Sequence, residues 1–223
     1  MANDLTVIYY TSNTEIPTLE ANVIATLLDN IGDTPLISVS QKPMDLGKNI
    51  CVGDVGVSGH NAWRQLQIGA LEATTTWICP AESDVLHPKE FFQFRPRRRS
   101  RFYIAMPLYV LFAQRGYKKY YARKLRGSEA TMMVGRDFLL RRMDEMFAGL
   151  DQWGPVTEEI SILHRQPHEY FHLETPLVTF KTDRNMHKRT PHKTDDRIME
   201  LPHWGEAHNL IQRYVYENGS GQG

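Results

Sequence analysis

The run Trp77-Ile78-Cys79-Pro80-Ala81 constrains this chain more than any other stretch. It is short and apolar, and it lies between Thr74-Thr75-Thr76 and the triplet Glu82-Ser83-Asp84. A run of this length bounded by polar residues reads as a buried strand. The two acids then stand at its C-terminal end. In an open α/β sheet that edge is where ligands bind. Two carboxylates one residue apart can there hold a hard divalent cation against a phosphorylated ligand. The plainer reading is a strand closed by a polar turn.

The residues on either side supply the context. Residues 5–10 are β-branched, aromatic and apolar, which predicts a first strand ending in the polar loop Thr11-Ser12-Asn13-Thr14. Pro17 suits the first turn of a helix, in which Leu19, Val23, Ile24, Leu27, Leu28 and Ile31 recur at helical spacing before Gly32. Residues 35–40 and 49–52 predict two more strands. The glycine-rich 53–59 opens a helix over 60–73, with Ala62, Leu66, Gly69, Ala70 and Ala73 on one face. Small residues there let a helix lie close on a sheet, and a helix feeding straight into a strand gives a parallel crossover.

Further along, residues 102–113 predict two strands split at Pro107, and 114–126 a basic helix. A strand over 131–134 and a helix over 136–150 follow, with Leu139, Leu140, Met143, Phe147 and Leu150 on its buried side. Residues 176–181 read as a strand, 182–197 as a polar loop and 204–216 as a closing helix. The expected fold class is α/β, a mixed, mostly parallel sheet flanked by helices in a single domain. Residues 1–94 would form one half, 95–200 the other and 201–217 the closing helix, with 218–223 a disordered tail.

Composition adds two points. With 41% hydrophobic and 23% charged residues the chain matches ordinary soluble domains. It has no bilayer-length apolar run and no signal-peptide pattern, so a cytoplasmic location is expected, the host's if the chain is viral. Cys51 and Cys79 both lie in apolar runs and are expected as buried free thiols. The net charge is zero, yet residues 95–126 hold eleven Lys/Arg and no acid. The rest carries fifteen basic residues against twenty-six acidic ones.

Taken in order, strand, helix, strand, Gly/Ser loop, small-residue helix and a strand ending acid-x-acid resemble the family-2-like, GT-A-fold glycosyltransferases. In that family a helix carrying Asn-x-Gly leads to a strand ending Asp-x-Asp, with Pro soon after. The residues that match are Gln67-Ile68-Gly69, Ala73, Trp77-Ile78, Glu82-Ser83-Asp84 and Pro88. The likeness covers residues 5–150 and continues more weakly to about 204. Three positions depart from the pattern: Gln67 replaces Asn, Glu82 replaces the first Asp, and the Gln41 region replaces an acid after strand two.

The resemblance implies a nucleoside-diphosphate sugar donor and Mn²⁺ or Mg²⁺. Asp84 would be a direct metal ligand, and Glu82 would reach the ribose, or the metal through water. A third ligand from the C-terminal third would be His187, with His192 and His203 as competitors. Donor contacts would come from Tyr10, Thr11, Ser12, Asn13, Gln41, Gln67, Glu82, Ser83, Lys181 and Arg184. Glu129 would serve as base if the anomeric configuration inverts; Asp137, Asp144 and Glu145 are the other acids of the stretch from residue 127 on, which resembles the segment that shapes the acceptor side in that family. His164, His168 and His172 recur every four residues, a zinc spacing on a helix, but Pro167 interrupts any such helix.

In the basic segment Arg97, Arg98, Arg99, Arg101, Lys118, Lys119, Arg123, Lys124 and Arg126 are interleaved with aromatic residues. Cations neutralise phosphates and aromatic faces stack bases. The expectation is a polyanionic acceptor, in its most specific form DNA with hydroxymethylated bases, since some bacteriophage enzymes resembling this family glycosylate such DNA. Lipid-linked, saccharide or protein acceptors stay open, as does a non-catalytic nucleic-acid or nucleotide-binding module on a degenerate transferase fold.

Overall fold

The computed structural model describes residues 4–114, 128–154, 167–184 and 200–216, together with the backbone of 121–124. A nine-stranded sheet runs through them. Its first half holds β1 (Leu5–Thr11), β2 (Leu36–Ser40), β3 (Lys48–Cys51) and β4 (Trp77–Glu82). These four pair in parallel in the order β3-β2-β1-β4. β8 (Met132–Gly135) then pairs antiparallel with the start of β4, and β6 (Phe102–Phe112) pairs antiparallel with β8. β9 (His168–Lys181) runs parallel to β6 along its whole length, and β5 (Val85–Leu86) pairs antiparallel with the end of β9. β7 (Tyr121–Lys124) lies on β6 beyond β8. This sheet, with most paired residues in parallel ladders, is the mixed, mostly parallel α/β sheet expected. Because β5 follows β4 after two residues yet pairs with β9, the sheet curls back towards its own middle.

Helices cover both faces. α1 (Pro17–Ile31) buries Leu19, Val23, Leu27 and Ile31, the periodic positions of its sequence. α2 (Gly59–Glu72) and α4 (Arg136–Phe147) share the opposite face, where Ile8, Tyr10, Val39, Leu66, Phe138 and Met143 form one core cluster. A short α3 (Lys89–Gln93) follows β5. At the C-terminal end a two-stranded ribbon, β10 (Glu200–Leu201) with β11 (Gly205–Glu206), leads to α5 (Ala207–Ile211) and a π-turn over Gln212–Tyr216. No helix among the described residues is long and apolar enough to cross a membrane.

Several expectations change. Pro107 does not split a strand: β6 passes through it with a cis Met106–Pro107 bond and a register shift against β9. Residues 121–124, expected in a basic helix, extend a sheet edge. The helix expected to 150 ends at Phe147, so Leu150 is exposed, and Leu140 is only partly buried. The closing helix begins at Ala207 rather than 204. His168 and His172 lie on β9, where four residues span about 13 Å of strand. That separation removes the helical zinc spacing; His164 lies outside the described residues. Cys79 is buried as expected, but Cys51 is exposed because β3 is an edge strand.

Two contacts fix how tightly the layers close. Gly69 faces β1 and β2 at a distance no side chain tolerates: a Cβ there would sit 2.4 Å from Ile8 Cγ2 and 3.3 Å from Val39 Cγ2. His87, just after β5, is buried and its Nε2–H donates to the Ala130 carbonyl at 2.7 Å, tying β5 to the turn before β8. Burial lowers the imidazole to about 4.

Gly69→Ala gains about 1 kcal/mol of helix propensity but overpacks the core, so a net loss of about 1–2 kcal/mol is expected in urea denaturation. His87 titrates lower in the folded chain than in the unfolded one. The stability tied to its neutral form is therefore complete above pH 6.5 and lost as pH falls towards 4. The wild type should lose about 2 kcal/mol through this group between pH 7 and pH 5. The pH dependence of His87→Gln should be shallower by that amount when the two denaturation curves are compared.

Candidate active site

The C-terminal ends of β1, β4 and β9 meet at one edge of the sheet, and a cleft opens there. β1 delivers Tyr10 and Thr11, and β4 ends on Glu82. The Ser83–Asp84 turn closes β4 onto β5, and β9 ends on Lys181. These residues line the cleft with Ser12, Glu15, Gln41, Gln65 and Arg184 and with the loop residues Gly56 to Ser58. Its enclosed part measures about 140 Å³, less than a site that swallows a whole small ligand. The cleft is therefore an open groove.

The two carboxylates of the acid-x-acid triplet have different partners. The Tyr10 hydroxyl donates to Glu82 Oε1. Asp84 is nearly buried; Lys181 Nζ stands 3.2 Å from its Oδ2 and Thr179 Oγ1 3.4 Å. Burial first, and then the Asp84 charge, push Glu82 up to about 7. Burial also raises Tyr10 well above its usual value, with the Glu82 charge adding to it. Burial opposes the charge on Lys181, but Asp84 and Glu82 outweigh it and hold the ammonium above its ordinary range. A third acid, Glu15, accepts from Thr182 Oγ1 and from the Ile16 amide, both at 2.8 Å, and burial raises it as well. Arg184 Nη1 reaches the Glu15 carbonyl at 3.4 Å. Glu15 thus links the loop after β1 to the segment after β9.

The loops above the cleft are tied to one another. Asn13 adopts φ 56°, and its Oδ1 accepts from the amides of Gln41 and Lys42 at 2.9 and 2.8 Å. Gln41 Nε2 donates to the Gly56 carbonyl at 2.8 Å, and Gly56 turns there at φ 82°. Gln65, on α2, donates to the carbonyls of Thr11 and Val39 at 2.9 Å each, which fixes the ends of β1 and β2 from beneath.

Most of the donor contacts expected from sequence come together here, Tyr10, Thr11, Ser12, Gln41, Glu82, Ser83, Lys181 and Arg184, along with the expected metal ligand Asp84. Asn13 braces the loops instead of lining the cleft. Gln67 points elsewhere, donating to Asp144 Oδ1 at 2.9 Å and so bridging α2 to α4. Glu129 stands in the turn before β8, close enough for its charge to act on both Tyr10 and Glu82. Glu15 and Gln65 escaped the sequence reading. Glu15 precedes Pro17 with no motif around it, and its partner Thr182 is 167 residues away. Gln65 sits two positions before the Gln67 that the family spacing favoured.

Hard oxygen donors suited to Mg²⁺ or Mn²⁺ are present in Glu82 and Asp84. Burial first, and then the neighbouring Asp84 charge, disfavour the Glu82 carboxylate, and a bound cation would relieve both, so the pair fits one. Among the described residues no three His, Cys, Asp or Glu side chains converge as a complete metal site. His187 and His192 lie outside those residues, and His203 sits in the β10–β11 turn away from the cleft.

The basic segment divides. Arg97, Arg98, Arg99 and Arg101 precede β6 and lie at the opposite edge of the sheet, where β1, β4 and β9 begin. Five residue steps of β4, about 17 Å, separate the two edges. Arg123 and Lys124 belong to β7 beside Tyr109 and Leu108, while Lys118, Lys119 and Arg126 lie outside the described residues. Asp137 is paired with Arg136 at that opposite edge, and Glu145 with Arg142 on the surface of α4.

No family model matches the chain, and no curated protein does. Among solved structures it is similar to a glycosyltransferase involved in the glycosylation of the major capsid of PBCV-1, with 11% identity, a TM-score of 0.43, and 78% of this chain and 92% of that one covered. A protein of Desulfovibrio desulfuricans described as a nucleotide-diphospho-sugar transferase gives 10% identity, a TM-score of 0.43 and coverages of 98% and 90%. TarS 1–349 of Staphylococcus aureus in complex with UDP-GlcNAc gives 10% identity, a TM-score of 0.47 and coverages of 98% and 68%. At such scores the likeness is one of general layout, and the narrower resemblance to DNA-modifying enzymes finds no support in it. What the cleft can do follows from its own side chains.

Lys181→Met would leave Asp84 buried without its cation. A stability loss of about 2–4 kcal/mol is expected, and the double variant with Asp84→Asn should recover part of it. Urea denaturation of both single variants and the double variant measures the coupling.

Proposed function

We propose that this chain is a glycosyltransferase that takes a sugar from a nucleoside-diphosphate sugar bound in the cleft. The observation that carries the reading is the meeting of Glu82, Asp84, Lys181 and Arg184 at the C-terminal edge of the parallel strands. An edge of this kind receives phosphorylated ligands in open α/β sheets. Paired acids and bases there suit a diphosphate whose negative charge grows as it leaves.

In this reading the loops braced by Asn13, Gln41 and Gly56 hold the nucleoside end. Lys181 and Arg184 face the diphosphate and neutralise it. The bond from the anomeric carbon to the diphosphate oxygen breaks, its electron pair leaves with the nucleoside diphosphate, and an acceptor hydroxyl oxygen bonds to that carbon. If the configuration inverts, the hydroxyl proton passes to Glu129. Tyr10 holds Glu82 in place through its hydroxyl. Asp84 and Glu82 would hold a divalent cation, Mn²⁺ or Mg²⁺; bound, it would act as a Lewis acid on the leaving diphosphate. The acceptor hydroxyl belongs to a saccharide, lipid-linked, protein or nucleic-acid molecule.

The test is a panel of sugar nucleotides with Mn²⁺, read by release of nucleoside diphosphate and by thermal stabilisation. One donor class should raise the melting temperature and turn over. Turnover should fall at least 100-fold in Asp84→Ala and vanish with a chelator. If no donor stabilises the protein or releases its diphosphate, the reading fails.

A further inference from the structure

The edge of the sheet opposite the cleft carries a second concave site. A groove of about 540 Å³ runs between Thr74–Thr76, Arg99–Ser100 and the first turns of α4, from Arg136 to Arg141. Its construction is specific. The backbone at Arg99 crosses Gly135 so closely that a Cβ there would stand 2.4 Å from the Arg99 carbonyl oxygen, which seats Arg99 beside α4. Arg136 is anchored through its Nε to the Ala70 carbonyl at 2.8 Å and through Nη2 to the Leu71 carbonyl at 3.2 Å. Arg99 and Arg141 are exposed, and neither has an ion-pair partner among the described residues. The acids nearby are committed: Asp137 pairs with Arg136, and Asp4 accepts the Thr76 amide at 2.9 Å. The Thr76 amide first, and then the charges of Arg99 and Arg95, hold Asp4 below its usual value.

Two further features point to the ligand. The exposed Arg97 and Arg98 continue the positive charge away from the groove, which suits several phosphates in a row better than one. Every cation named at this edge is Arg, whose planar fork matches phosphate oxygens, and none is Lys. In addition Tyr170 is 48% exposed, packs edge-on against His168 at 5.3 Å, and pairs with Ile104. It therefore lies on the face of the sheet that carries α4. β8, β6 and β9 are neighbours, so Tyr170 stands two strand spacings, about 10 Å, across the sheet from Met132, and Gly135 at the groove lies three residues, about 10 Å, along β8 from there. Exposed cations with an exposed ring on the same part of the sheet suit single-stranded nucleic acid.

We propose that this edge binds single-stranded nucleic acid, with a backbone phosphate in the groove between Arg99 and Arg141 and a base stacked on Tyr170. The site is separate from the cleft and does not depend on what the cleft transfers. Strand placed here lies at the far end of β4 from Glu82, so the edge serves as a docking surface.

Fluorescence anisotropy of a 5′-fluorescein-labelled 12-mer of deoxythymidine tests it, at 50 and 200 mM NaCl. Wild type should bind at 50 mM NaCl and weaken as salt rises. The exposed double variant Arg99→Ala/Arg141→Ala should lose at least tenfold in affinity and lower the salt slope by about 1–2. Tyr170→Ala should lose at least fivefold with the slope unchanged. Circular dichroism verifies that the variants fold. The proposal is overturned if wild type gives no signal at 50 mM NaCl, or if the double variant binds as wild type does. It also fails if the arginines matter only for co-sedimentation with vesicles of phosphatidylcholine and phosphatidylserine, or only for inorganic phosphate, while the oligonucleotide does not bind.

Discussion

The Asp84–Lys181 ion pair is the contact on which the rest of the cleft depends. The Asp84 side chain accepts from Lys181 and Thr179, while its main-chain carbonyl accepts from the Phe180 amide at 2.8 Å. One residue thereby locks the end of β4 to the end of β9 across 97 positions of sequence. A carboxylate with so little exposure is tolerable only with its countercharge in place. The same pair brings the turn after β4 and the segment after β9 to one spot. Glu15 repeats the arrangement on the other side, joining the loop after β1 to Thr182.

Much of the fold was legible because local signals agreed with one another. The period of α1, the small residues of α2 and the apolar runs of β1, β2 and β4 all point to the parallel half, and the structure has it within one or two residues. The acid-x-acid triplet announced the edge at which the cleft lies. Where the reading missed, the decisive interaction was long-range. Proline usually ends a strand, but β6 is paired on both sides and passes through Pro107. Residues 121–124 look like a basic helix in isolation, yet β6 leaves an edge beyond β8 that they fill. Gln65 and Gln67 are indistinguishable by composition; only the angle of α2 on the sheet decides which reaches Thr11 and which reaches Asp144.

Charge is the clearest case of this difference between chain and fold. In sequence the arginines follow directly after the acid-x-acid strand and look like its neighbours. In space β5 and α3 carry the chain back to the other edge of the sheet, and β6 starts at the edge from which β4 starts. The arginines of 97–101 therefore face away from the carboxylates that precede them. Linear proximity of unlike charges says little when the chain reverses direction between them.

The 14 residues of β9 run from one edge to the other, with Glu169 beside Arg101 at the start and Lys181 beside Asp84 at the end. Residues that share no partner and stand more than 7–10 Å apart contribute to stability nearly independently. The two edges meet that condition, since a buried stretch of β9 from Leu177 to Phe180 lies between them. In mutational terms the molecule is modular along the strand axis within a single sheet. Selection or engineering can rework the groups at one end while the free energies held at the other stay as they were.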